Sequence, residues 1–212
     1  PVISGQISRE EYITHANHPA LTIDWMNHHL TSDDRIFCLE DRLYRLEIPW
    51  TNYFAAKAGL PQTPQECMDY LARLGCTHLY LGEGQTLQPI LWRNIARLPR
   101  DPDGLVRFHQ ADVMVNLQGE PIRATKHWVA WALFRRQAER AGLQSTTDAL
   151  GGVEYTVDPA LLLADPATAA TVQVMDSLAT LIGEGSLTVA YSDGLNLVLA
   201  VQPQAARPAV IP

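Results

Sequence analysis

The chain has 212 residues, of which 47% are apolar and 18% charged, a composition typical of a globular protein with its own hydrophobic core. Its formal net charge is −7, and no block of Lys or Arg offers the basic face that nucleic-acid binding requires. No apolar run reaches the length of a membrane span, and no signal peptide precedes the first elements. We therefore expect one soluble domain over residues 1–212, and the start at Pro1 indicates a piece excised from a longer protein.

The first predicted elements are two helices and a buried strand. Residues 8–11 read S-R-E-E, the pattern of a capping box at the start of a helix. In the stretch 21–30, LTIDWMNHHL, apolar residues recur at helical spacing. After a polar turn at 31–34, the sequence RIFCLE (35–40) predicts a buried strand.

A capped helix links this strand to a second one. The stretch 63–66, T-P-Q-E, is another capping box with Pro at the first helical position, and Gly75 is expected to end the helix. The sequence THLYLG (77–82) then predicts a second buried strand. A helix that crosses between two apolar strands indicates a parallel βαβ unit, so we expect RIFCLE and THLYLG to be parallel neighbours. The helix over 64–75 should pack on one face of their sheet.

After Gly84 the sequence pattern is weaker, and it predicts three helices followed by a C-terminal hairpin. Helices are expected over 88–98, 127–142 and 168–185, with a loop at 98–105 and a turn at 148–152. Two strand-like runs within 186–201 are joined by Asp193-Gly194, a pair typical of tight hairpin turns. Together these elements predict an α/β fold, a three-layer-like domain with a central mixed sheet, in which the hairpin adds antiparallel strands to the parallel core.

Gly82-Glu83-Gly84 follows the second strand, where a dinucleotide-binding fingerprint would stand. However, Leu87 occupies the place of the third glycine, and no acidic residue ends a following strand at the expected distance. We interpret the stretch as a strand-to-helix turn and predict no bound cofactor.

The histidines and cysteines lack the spacing of a metal site. His15 and His18 have no carboxylate or thiol at a matching distance, and His28 and His29 are adjacent, so they point in different directions on a helix. No metal is therefore predicted. The cysteines are interpreted as buried structural thiols, and they are Cys38, Cys67 and Cys76.

The sequence contains acidic and aromatic residues of the types found in sugar-processing sites. Asp33-Asp34 lies in a polar turn and has no second acidic cluster beside it, so we interpret the pair as turn residues. Trp128, Trp131 and Phe134 share one helix and are interpreted as core residues rather than a sugar platform. No catalytic constellation is predicted.

Ligands of open α/β sheets bind in the crevice beyond the carboxyl ends of the parallel strands. If the domain binds a ligand, we expect it there, although a charged and solvated loop cluster would explain the same residues. The candidate residues are Glu40, Asp41, Arg42, Gly82, Glu83 and Gly84.

Two parts of the sequence resemble a known family. The first, within 5–82, contains GQISREEY, W-M-N at 25–27, RIFCLEDRLYRLEIPW and GCTHLYL; the second is LIGEGSLTVAYS at 181–192. Both are similar to the soluble C-terminal region of polytopic membrane glycosyltransferases, in the superfamily of protein mannosyltransferases and aminoarabinose transferases. Residues 85–165 are not covered by the resemblance.

The resemblance implies a function for the protein from which the domain derives. Members of that superfamily transfer a sugar from a polyprenyl-phosphate donor on the extracytoplasmic side of a membrane, and their catalytic acids lie in loops between membrane helices. The chain is then an extracytoplasmic domain of a membrane protein, non-catalytic alone, which shapes access of the acceptor. Its partners would be the membrane-spanning portion, the lipid-linked sugar, or an acceptor glycan or protein. Two alternatives stay open: a nucleotide- or small-molecule-binding module of the Rossmann or flavodoxin type, and a stand-alone hydrolase.

Overall fold

The computed structural model of the chain describes residues 19–39, 45–52, 61–122, 127–140, 142–147, 150–193 and 196–202. The strands are β1 (Ile36–Leu39), β2 (Trp50–Asn52), β3 (His78–Leu81), β4 (Val106–His109), β5 (Gln144–Thr147), β6 (Val153–Val157), β7 (Leu187–Ser192) and β8 (Leu197–Val201). The helices are α1 (Pro19–His29), α2 (Pro64–Arg73), α3 (Glu83–Arg97), α4 (Gln110–Val113), α5 (His127–Arg140), α6 (Pro159–Leu162) and α7 (Pro166–Gly183).

A five-stranded mixed sheet forms the centre of the fold, in the order β2-β1-β3-β8-β7. Strand β1 is parallel to both β2 and β3, with Ile36 opposite His78 at one end and Leu39 opposite Leu81 at the other. Strand β8 is antiparallel to both β3 and β7. The predicted parallel pairing of RIFCLE with THLYLG is therefore confirmed, as is the addition of the C-terminal hairpin strands to the same sheet.

Helix α2 begins and ends where its sequence predicts. Its N-cap Thr63 accepts a hydrogen bond from the Glu66 backbone N–H at 3.3 Å, and Pro64 takes the first helical position. At the other end Gly75 has φ of 67°, and the backbone N–H of Cys76 donates to the carbonyl oxygen of Leu71 at 2.9 Å. This closure requires a left-handed residue, which glycine adopts without steric cost.

Helices cover both faces of the central sheet, so the predicted three-layer arrangement is present. On one face, α2 and α7 pack their buried side chains against alternate strand residues such as Phe37, Leu79 and Leu199. On the other face, α1 packs against the intervening residues, Tyr80 and Val198 among them. The alternation follows from the two-residue period of a strand, which directs successive side chains to opposite faces.

A second, antiparallel sheet is formed by stretches of the middle of the chain for which the sequence analysis predicted no element. It has three strands in the order β4-β6-β5. A second apolar cluster packs on it, formed mainly by α3, α5 and the inward side chains of β4 and β6.

Helices α3 and α7 contribute to both apolar clusters. Leu91 and Val172 lie in the cluster of the antiparallel sheet, whereas Ile90 and Met175 lie in that of the central sheet. The two helices are also joined by a partly buried ion pair in which Arg93 Nε lies 2.7 Å from Asp176 Oδ1.

Among the predicted elements, the capping box at 8–11 lies outside the described residues, and the Asp193-Gly194 turn and the turn at 148–152 are described only in part. Over the described ranges, no helix combines the length and the apolar character that crossing a membrane would require.

Candidate functional site

The sequence predicts a ligand crevice at the carboxyl ends of the parallel strands, and the structure describes half of its candidate residues. Gly82 directly follows β3 and is the N-cap of α3, while Glu83 and Gly84 form the start of that helix. The stretch is thus a strand-to-helix junction, as interpreted from the sequence. Glu40, Asp41 and Arg42 lie outside the described residues.

A partly buried polar network lies at the carboxyl ends of these strands, on the side of the hairpin. The Tyr80 hydroxyl donates to Asn196 Oδ1 at 3.1 Å, and Asn196 Nδ2 donates to Asp193 Oδ2 at 2.9 Å. The same carboxylate accepts from the Asn196 backbone N–H at 2.7 Å and from the Thr22 hydroxyl at 3.1 Å. Asn196 has no exposed surface.

These hydrogen bonds give the network a positioning role. Because a buried amide is costly to leave unpaired, Asn196 fixes the start of β8 relative to both β3 and α1. Sequence analysis did not single out this network, since Tyr80 and Asn196 are 116 positions apart. One signal was present: Asn196 is a polar residue within the otherwise apolar stretch that leads into β8.

One cavity is lined in part by residues of the stretches that resemble the glycosyltransferase family. It lies between α1 and the segment that leads into β2. It has a volume of about 390 Å³, within the range of small-molecule sites. Its lining residues are all polar, and they are Asp24, Asn27, His28, Arg45 and Glu47. We call it the α1 pocket.

Asn27 builds the wall of the α1 pocket. Its Nδ2 donates to the Arg45 carbonyl oxygen at 2.8 Å, and its Oδ1 accepts from the Glu47 backbone N–H at 2.9 Å. The amide of Asn27 thereby supplies the hydrogen-bond donor and the acceptor that a neighbouring strand would otherwise offer to the backbone of residues 45–47. The backbone of residues 45–47, which we call the bend, is therefore held against α1 by the amide of Asn27, beside the packing of Leu46 and Ile48 on the same helix.

The remaining pocket residues supply charges. Arg45 Nη2 lies 3.6 Å from Asp24 Oδ1, and both side chains are about half exposed, so the pair is solvated. His28 Nδ1 donates to the Asp24 carbonyl oxygen at 2.6 Å. Carboxylates that accept and a guanidinium that donates suit a ligand rich in hydroxyl groups.

A second polar cluster lies at the other end of the parallel strands, where β1 and β3 begin. The Thr77 hydroxyl accepts from the Arg35 backbone N–H at 3.0 Å and donates to Asp34 Oδ1, also at 3.0 Å. His78 Nδ1 lies 2.9 Å from the Thr77 oxygen and 3.5 Å from Asp34 Oδ1. Asp34 therefore belongs to the turn that starts β1, as interpreted from the sequence.

The environment shifts both titratable groups of this cluster. Burial lowers the pKa of His78, and the nearby Asp34 opposes that shift. Partial burial acts to raise the pKa of Asp34, but the hydrogen bonds from Thr31 and Thr77 outweigh it, and the pKa is lowered. A neutral imidazole beside an ionised carboxylate is the resulting state.

The remaining interpretations concern buried side chains. Trp131 and Phe134 are buried in the cluster of the antiparallel sheet, as expected of core residues, and Leu87 is buried there as well. The side chain of Trp128, like His15 and His18, is not described. Within the described part of the chain, no group of three or more His, Cys, Asp or Glu residues is placed to hold a metal ion.

Comparison with known proteins adds no family assignment. No family model matches the chain, and no curated protein or solved structure is significantly similar to it.

Proposed function

We propose that the chain is an extracytoplasmic accessory domain of an integral-membrane glycosyltransferase that uses a polyprenyl-phosphate sugar as donor. In this proposal the domain is not catalytic alone, and the α1 pocket shapes access of the acceptor. Its partners are the membrane-spanning portion of the same protein and the acceptor glycan or protein.

The observation that carries the proposal is the meeting of the two family-like parts of the sequence. Trp25 belongs to the first part and Tyr191 to the second, and their rings stack with centroids 5.1 Å apart. Strand β8 connects them further, because it pairs with β3 of the first part and β7 of the second. Residues that are far apart in the chain but belong to one sequence pattern thus form one structural unit.

The individual residues of the pattern also have physical roles in this unit. Asn27 holds the backbone of the bend, Gly75 supplies the left-handed helix end, and Thr77 joins the turn before β1 to β3. Such roles are those of a fold that supports a site supplied elsewhere. They agree with a domain that assists a catalytic carboxylate located outside it.

The donor chemistry explains why no transfer is expected from the chain alone. Transfer from a lipid-linked sugar requires the donor to be held beside a catalytic acid or base, and this positioning supplies much of the rate. In this proposal, the residues of the family resemblance shape the fold, and the catalytic acid or base belongs to another part of the protein. The α1 pocket, lined by hydroxyl-binding side chains, fits the sugar units of an acceptor better than a lipid.

The proposal is tested by activity and by gene structure together. Incubation of the chain with a polyprenyl-phosphate sugar and an acceptor should give only the uncatalysed background. The reading frame upstream of the Pro1 codon should encode several apolar spans, and reporter fusions should place residues 19–202 outside the cytoplasm.

Two outcomes would contradict the proposal. The first is an upstream frame without apolar spans. The second is turnover above background that is lost in Asp33→Ala or Asp34→Ala but kept in Asp103→Ala, an exposed control outside both polar clusters. That pattern would make the chain an enzyme in its own right.

A further inference from the structure

Strand β5 forms one edge of the antiparallel sheet and is exposed along its whole length. It consists of Gln144, Ser145, Thr146 and Thr147, all four exposed and none charged. On one side it pairs with β6, and among the described residues no strand pairs with its other side. Alternate residues of an edge strand direct their N–H and C=O groups outward, where they can pair with another strand.

The other three sheet edges carry features that oppose such pairing. Strand β2 has only three residues, and β7 is irregular between Val189 and Tyr191. Strand β4 bears the exposed Arg107 and runs directly into α4. Short length, bulges and charges are the usual protections of edge strands. Strand β5 has four residues, one more than β2, and it carries neither a register shift in its pairing with β6 nor a charged side chain, so it lacks the last two of these protections.

Exposed leucine and valine side chains lie at both ends of β5. Leu150 and Val153, in and after the turn that follows the strand, are 97% and 48% exposed. Leu161, which is 55% exposed, lies beside the start of the strand, with its Cδ1 3.5 Å from the position that a Cβ on Gly142 would take. The edge is therefore flanked by apolar groups at each end.

We propose that β5 pairs with β5 of a second copy of the chain, antiparallel and about a twofold axis, so that the two three-stranded sheets become one. A twofold interface brings the same strand of both copies together, so any charge on that strand lies near the same charge from the other copy; charged strands are therefore penalised and a neutral one is tolerated. Antiparallel pairing also brings the end with Leu150 and Val153 in one copy toward the end with Leu161 in the other. The neutral strand and the apolar ends together favour a second copy over a charged partner.

The contact made by two strands of four residues is small, so the dimer should be weak and concentration-dependent. Sedimentation velocity over a series of protein concentrations should show a reversible monomer–dimer equilibrium. Replacing Thr146 with Lys places one ammonium group from each copy near the axis. Because like charges across an interface are strongly unfavourable, the dimer dissociation constant should rise about tenfold or more.

Two variants complete the test. Ala190→Lys adds the same charge at an exposed position of the β7 edge and should leave the dissociation constant unchanged. Leu150→Ser removes an apolar contact without altering the strand and should weaken the dimer. A chain that is monomeric at every concentration would overturn the proposal. So would a dimer that survives Thr146→Lys, or one that Ala190→Lys weakens equally, because either result would place the interface elsewhere.

Discussion

The three cysteine thiols are enclosed by apolar side chains, and their reactivity follows from that burial. Cys38 and Cys67 have no exposed surface, and Cys76 is 5% exposed. Burial raises the pKa of Cys67 to about 12, and it raises the pKa of Cys76 as well. Since the thiolate is the reactive form, the folded chain should not react with a disulfide reagent at about pH 8.

The measurement is a thiol titration with and without denaturant. Three equivalents should appear on unfolding and none in the folded protein. Rapid reaction of one thiol in the folded chain would show that the side chains around it open at a low free-energy cost.

The cluster at the start of β1 predicts how stability depends on pH. Burial holds the pKa of His78 below the ordinary value of 6.5, so the unfolded chain binds more protons than the folded one as the pH falls below 6.5. The free energy of unfolding should decrease over that window. A second decrease should follow below pH 3.8, where Asp34 is protonated in the unfolded chain before it is in the folded one.

Urea unfolding at a series of pH values checks the sign for His78. A His78→Asn variant lacks the buried imidazole. Its free energy of unfolding should therefore depend less on pH, between about 7.5 and 5, than that of the original chain. Parallel curves for the two proteins would assign the dependence to other histidines.

At the scale of elements, one amide connects a helix to a segment without regular structure. Asn27→Ala removes both hydrogen bonds that hold the backbones of Arg45 and Glu47, and should cost about 1–3 kcal/mol of unfolding free energy. His28→Ala, an exposed change on the same helix, should stay within about 0.5 kcal/mol. Equal effects of the two changes, measured by urea unfolding, would show that the bend does not depend on the amide.

The elements that could be predicted from the sequence are those with strong local patterns. Strands β1 and β3 are continuous apolar runs, and α2 has both a cap sequence and a glycine stop, so their order alone predicted a parallel pair. Strand β5 could not be found in this way, because the exposed sequence QSTT has no apolar alternation. Strand β6, V-E-Y-T-V, does alternate, and its two-residue period could have been recognised.

The candidate site was less accessible to sequence reasoning than the fold. The carboxyl edge was predicted from strand order, and Gly82 does lie there. The α1 pocket depends on Asn27 meeting the backbone of residues 45–47, and the network at the carboxyl edge depends on Asp193 meeting Thr22. Such contacts join distant parts of the chain, and no local pattern specifies them.

At the scale of the whole molecule, helices α3 and α7 connect the central sheet to the antiparallel sheet. Each helix contributes to both apolar clusters, and the Arg93–Asp176 ion pair joins the helices to each other. Because neither cluster is complete without these helices, we predict a single cooperative unfolding transition, as expected for one domain.

Coincidence of two probes tests this prediction. Trp92 and Trp131 lie in the cluster of the antiparallel sheet, so their fluorescence reports on that region, whereas circular dichroism reports on the whole chain. Replacing Trp25 and Trp50 with Phe would remove the tryptophan fluorescence that comes from the region of the central sheet. Superimposable urea curves are expected; two separated transitions would show that the sheets unfold independently.

The order of strands in the central sheet has a consequence for the biosynthesis of the protein. Strand β8 lies between β3 and β7, yet it is the last of the described strands to be synthesised. A nascent chain that has emerged only as far as β7 therefore exposes the apolar residues and open backbone groups of β3. During translation, the sheet stays incomplete until residue 201 leaves the ribosome, and any ribosomal pause in the final codons of β8 prolongs the period in which chaperones or neighbouring nascent chains can bind that edge.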